Sequence, residues 1–144
     1  MKQISEVNKQ LREKKKERDE LRRSVIETFK QTFRETLTYL LERDLEGFDY
    51  DNFMFLREPE TFSTAERYAV AYSFAYATAI TLEKHGFKIP YMIVELVPKL
   101  GRMYGRVVDH IEKSEVPVFA FSSSREIPAK EIAETVKEEN KVLA

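Results

Sequence analysis

The chain has 144 residues, 42% apolar and 34% charged, with a formal charge of −1 and no cysteine. One domain fits this length, the near-neutral balance gives no global attraction to nucleic acid, and disulfides, thiolate catalysis and cysteine-held metal are excluded. Glutamate outnumbers aspartate 20 to 5 and glycine occurs 4 times, a composition shared with heat-adapted proteins. The N-terminus is charged and no apolar run follows it, which predicts a cytoplasmic protein without a secretory leader.

From Gln3 to Glu46 there is neither glycine nor proline, and Ile4, Val7, Leu11, Leu21, Val25, Phe29, Phe33, Leu37 and Leu40 recur at steps of three and four. This spacing predicts one long N-terminal helix stopped by Gly47. About 44 residues at 1.5 Å each make a rod of roughly 65 Å, against a radius of gyration of about 14–15 Å for a compact domain of this size. The rod is expected to overhang its domain, lie along a partner or break. Lys14 and Arg18 fall on the seam where a two-stranded coiled coil favours Leu or Val. Residues 1–24 are therefore read as a charged, coiled-coil-like arm and residues 21–144 as one helical bundle. Between Lys9 and Arg23 eight basic residues face four acidic ones, a local +4; between Gly47 and Glu66 one arginine faces five acids, a local −4. Such blocks mark docking surfaces without naming the partner.

Glu46 to Phe62 carries five aromatics among acids and is expected to pack across the bundle, with room for a short helix. Asp49 and Asp51 resemble the start of a calcium loop, but Met54 stands where that loop requires glycine. Ser63 and Glu66 then form a capping box, and Gly86 follows Lys84 and His85, predicting a helix over Thr64–His85. Tyr68 to Leu82 has no charge. At about 22 Å it is too short for a hydrocarbon core of about 30 Å, so no membrane span is expected and the helix is predicted to be buried all round. Tyr68, Tyr72 and Tyr76 form one ridge, read chiefly as core, with a ligand pocket shared with Glu95 as the alternative. Ala69, Ser73 and Ala77 form a small ridge suited to close helix packing.

Pro90 is read as opening a third helix that Pro98 kinks or divides, running to about Lys113. Gly101 and Gly105 are expected to pack against Ala69, Ser73 and Ala77. VPVFAF, Val116–Phe121, predicts a short extended segment, with pairing to its copy in a dimer as one use. Ser122–Ser124 and Arg125 read as a polar linker, with anion binding as the sharper alternative. A last helix is predicted from Pro128 to about Lys141. It resembles the first helix of a helix-turn-helix, but no recognition helix has room after it.

Chemistry is sparse. Asp109 and His110 are adjacent, so on a helix they diverge by about 100° and make no dyad. No phosphate loop, nucleophile elbow, dinucleotide fingerprint or helical metal motif is present, and no catalytic residue, metal or cofactor is assigned. The predicted architecture is all-α: four main helices with one short extended segment. The function expected is non-enzymatic self-association through helical surfaces, a dimer being favoured. Nucleic acid is the alternative partner, through Lys14, Lys15, Lys16, Arg18, Arg22, Arg23, Arg102 and Arg106 contacting phosphates. A small-molecule binder or enzyme using the tyrosine face is the third reading.

Overall fold

A computed structural model describes residues 2–122. Helix α1, Lys2–Leu41, is continuous over 40 residues, about 60 Å at the helical rise. Its end comes before Gly47: Glu42 takes a positive φ of 58° and its amide closes onto the Thr38 carbonyl at 2.7 Å. Strands β1, Phe48–Asp49, and β2, Met54–Phe55, form an antiparallel hairpin. The aspartates that resemble a calcium loop serve its turn instead. The Asp49 carboxylate accepts from the amides of Asp51 and Asn52 at 2.9 and 3.1 Å and from the Asn52 side chain at 2.8 Å. A 3-10 turn, Pro59–Thr61, leads to α2, Thr64–Lys84, whose capping box closes as expected at Ser63 and Glu66.

Helices α1 and α2 are antiparallel neighbours. Arg43 meets Glu66 at 2.9 Å, the Phe33 and Phe74 ring centroids lie 6.5 Å apart, and Ser24 reaches His85 at 3.4 Å. Phe33 is wholly buried and is ringed by Phe29, Phe48, Tyr50, Phe53 and Phe74. The aromatic loop therefore does pack across the helices, through a hairpin. Residues 2–24 of α1 are all exposed.

The four-helix prediction fails after Gly86. Among the described residues there are three α-helices and two small sheets. Where a third helix from Pro90 was expected, Met92–Glu95 is strand β3, Pro98–Leu100 is a 3-10 turn, and only Met103–Glu112 is helix α3. Seven residues between two prolines are too few for a stable helix, and a residue before proline is pushed to extended backbone. Val97 adopts φ −116°, ψ 134° accordingly. Met92, Val94 and Leu96 are buried while Ile93 and Glu95 are exposed, the period of a strand. Strand β4, Val118–Phe121, matches the expected extended segment. It pairs in parallel with β3, Met92 opposite Val118; α3 is the crossover between them. The last predicted helix, Pro128 to Lys141, lies outside the described residues, as do Ser123, Ser124 and Arg125.

Two further expectations are corrected. Helix α2 is not enclosed: Ala71, Phe74, Ala75, Thr78 and Leu82 are exposed, Phe74 by 48% and Leu82 by 37%. Among the described residues, α2 packs against α1, α3 and a two-stranded sheet, and this flank has no neighbour. The glycines do not mediate close helix packing either. Gly101 has φ 58° just before α3, and a Cβ at Gly101 or Gly105 would meet open space. Ala69, Ser73 and Ala77 are fully buried along α2, whose main neighbour is α1. The Ser73 hydroxyl has no hydrogen-bond partner among the described residues, and an unsatisfied buried hydroxyl costs about 1–3 kcal/mol. Ser73→Ala is therefore expected to raise stability by about 1 kcal/mol in urea unfolding; a loss of that size would show that the hydroxyl is satisfied.

Candidate functional site

The tyrosine ridge is folded into the structure through its hydroxyls. Tyr68, Tyr72 and Tyr76 stack in succession, with centroids 6.3 and 6.4 Å apart. The Tyr68 hydroxyl donates to the Glu95 carbonyl at 2.7 Å, tying α2 to β3. The Tyr72 hydroxyl meets His110 Nδ1 at 2.7 Å. Burial pushes both phenols above the ordinary tyrosine range, so they stay protonated. Tyr72 has no other acceptor among the described residues, so its O–H donates to Nδ1 and leaves the imidazole proton on Nε2. Glu95 lies on the exposed face of β3, and after burial its charge adds to the rise of the Tyr68 phenol.

The ridge opens at Tyr76 onto a groove of about 280 Å³ with three walls. Helix α1 contributes Thr32, Glu35, Thr36 and Tyr39, one stripe at helical spacing. Helix α2 contributes Tyr76, Ile80 and Lys84 at steps of four, and His110 and Glu115 complete it from α3 and the turn beyond. The Tyr76 ring stands edge-on to His110 at 4.5 Å, and Tyr39 lies 5.7 Å from the same imidazole. Tyr39 donates to Asp109, which also takes Lys113 Nζ at 3.1 Å. The Tyr39 hydrogen bond, then Lys113, holds the Asp109 carboxyl below the usual range, and the same bond raises the Tyr39 phenol. Asp109 and His110 thus have separate partners, as their helical spacing requires.

Of the residues predicted to line a ligand site, only Tyr76 reaches this groove. Its α1 wall escaped notice because Thr32, Glu35, Thr36 and Tyr39 interrupt no motif. The legible signal was the continuation of the tyrosine ridge through Ile80 to Lys84. The predicted phosphate contacts are not gathered in one place. Lys14, Lys15, Lys16, Arg18, Arg22 and Arg23 lie on the exposed arm, roughly 26 Å or more along α1 from its Leu40 end. Arg106 is engaged there: its Nε donates to the Leu40 carbonyl at 2.7 Å and its Nη1 lies 3.5 Å from Glu42. It closes the C-terminal end of α1, where helix carbonyls lack partners. Arg102 is exposed at the start of α3. The space among Arg12, Lys16 and Arg23 is bounded by α1 side chains alone, with no second wall.

Among the described residues no group of three or more His, Asp and Glu side chains is placed to hold a metal ion, and no helix is long and apolar enough to cross a membrane. No family model, curated protein or solved structure matches the chain.

Burial holds the His110 pKa below its ordinary 6.5. The folded state therefore favours neutral imidazole, and the unfolded chain takes up the proton first as pH falls. Stability is expected to drop as pH goes from about 7 through 6.5 towards the folded midpoint, then to level as far as this group is concerned. The depressed carboxylates of Glu66 and Asp109 act at lower pH. An NMR titration should place the His110 midpoint below 6.5, and His110→Phe should flatten the stability change between about pH 7 and 5.5. A midpoint at or above 6.5 contradicts this assignment.

Proposed function

We propose that the protein is a non-enzymatic interaction module that self-associates through its helical surfaces, as a dimer. The observation that carries this reading is the arm. Residues 2–24 of α1 are exposed over about 35 Å, with Ile4, Val7, Leu11 and Leu21 facing solvent on one side. A helix without tertiary packing is marginal in water, and a partner helix along this seam would supply what the described residues do not. Two other uncovered apolar surfaces support the reading: the α2 flank at Phe74 and Leu82, and the outer sheet face at Ile93, Phe119 and Phe121. Parallel strands are ordinarily covered on both faces.

Charge favours an antiparallel arrangement. The basic block Lys9–Arg23 and the acidic loop Gly47–Glu66 sit at different stations along α1, the loop being fastened near Phe29 and Lys30. Crossing two copies antiparallel brings each arm to the other's loop, and their opposite charges attract. Lys14 and Arg18 on the seam lower the stability of such a pairing while restricting its register.

Size-exclusion chromatography with light scattering is expected to return twice the monomer mass at tens of micromolar. The Val7→Glu, Leu11→Glu double variant should weaken the association by about a hundredfold, because two carboxylates would lose solvation in the seam. A strict monomer across the micromolar range removes the proposal.

A further inference from the structure

We propose that the groove between α1, α2 and α3 is a binding site for a small organic cation, a protonated amine. Two side chains make it a built site and not a surface crease. Thr36 is only 4% exposed and Tyr76 only 8%, both line the groove, and neither hydroxyl has a hydrogen-bond partner among the described residues. Both hydroxyls are reachable from the groove and share one open space, in which a polar ligand can take the place of water as their partner. His110 adds a third polar group to the same lining, its Nε2 without a partner among the described residues while Nδ1 is held by Tyr72.

The charge of the lining selects the ligand. Glu35 comes from α1 and Glu115 from the turn after α3, while Lys84 on α2 is the single ammonium. With His110 neutral the lining carries two negative charges against one positive. Glu35 accepts one hydrogen bond, from Gln31 at 2.9 Å, and keeps further acceptor capacity. The rings of Tyr39 and Tyr76 border the same space, and aromatic rings attract cations through their quadrupoles. Asp109 stiffens this wall by holding the Tyr39 hydroxyl. An ammonium matches two carboxylates and aromatic faces at once, whereas an anion of equal size meets the same carboxylates repulsively. About 280 Å³ lies near the lower end of ligand-site volumes, roughly 300 Å³, which restricts the ligand to a small molecule. This assignment does not rest on self-association, since no arm residue lines the groove.

The test is a titration of the full chain with 2-phenylethylammonium chloride at low ionic strength, followed in aromatic carbon–proton NMR spectra. Phenylacetate serves as the comparison of similar shape and opposite charge. The expected result is saturable shifts of Tyr39, Tyr76 and His110 with the amine, and at least about tenfold weaker binding of phenylacetate. The Glu35→Gln, Glu115→Gln double variant should weaken amine binding by about tenfold. Both side chains are exposed, so the variant should keep the parent circular dichroism spectrum. If it does not, each single variant should weaken binding by about threefold. Absence of saturable shifts at those three residues, equal or tighter binding of phenylacetate, or amine binding unchanged in the variants would overturn the proposal.

Discussion

The burial of Phe33 is the contact on which the rest of the structure depends. Its ring meets aromatic partners from α1, the β1–β2 hairpin and α2. In one place it fixes the antiparallel pairing of the two long helices and clamps the loop between them. Aromatic rings bury large apolar areas and prefer the edge-to-face contacts seen here. With α1 and α2 locked at this level, the stations of Ser24, Tyr39 and Leu40 along α1 follow from the helical rise. The tyrosine ridge then faces α3, and α3 returns Arg106 to the end of α1.

The same pairing sets what remains uncovered. Helix α2 is much shorter than α1 and ends beside Ser24, so the first half of α1 extends without a neighbour among the described residues. The β3–α3–β4 unit covers the tyrosine side of α2 and leaves Phe74 and Leu82 on the other flank. The chain exposes Ile4, Val7, Leu11 and Leu21 in a row while burying Phe33 completely, so the apolar stripe of α1 is divided between an internal and a solvent-facing half. The groove lies at the junction of both long helices with α3, where side chains from all three meet and polar groups are left facing one space.

Local signals were legible where a single interaction decides. The Ser63–Glu66 capping box is satisfied by neighbours in sequence, so α2 starts where expected, and the unbroken helical stripe of α1 was readable through Leu40. The strand nature of Met92–Glu95 was present in the two flanking prolines and the alternation of Met92, Val94 and Leu96. It was obscured because a short apolar run satisfies helix and strand patterns alike. Its pairing with Val118–Phe121 depends on a crossover that no local pattern encodes. The exposed flank of α2 was illegible for another reason: Tyr68–Leu82 is apolar all round, and composition alone does not say which side receives a neighbour. Arg106 read as a phosphate ligand because its partner, the Leu40 carbonyl, is a backbone atom distant in sequence.

We propose that the Phe33 cluster anchors one half of α1 while the other half is ordered by a second copy. Amide hydrogen exchange along α1, measured at several protein concentrations, tests this most directly. Phe29–Leu41 should be strongly protected at every concentration. Protection of Ile4–Ser24 should rise as association proceeds and disappear on dilution. Protection of the arm that persists at limiting dilution, or that never develops at any concentration, would contradict it.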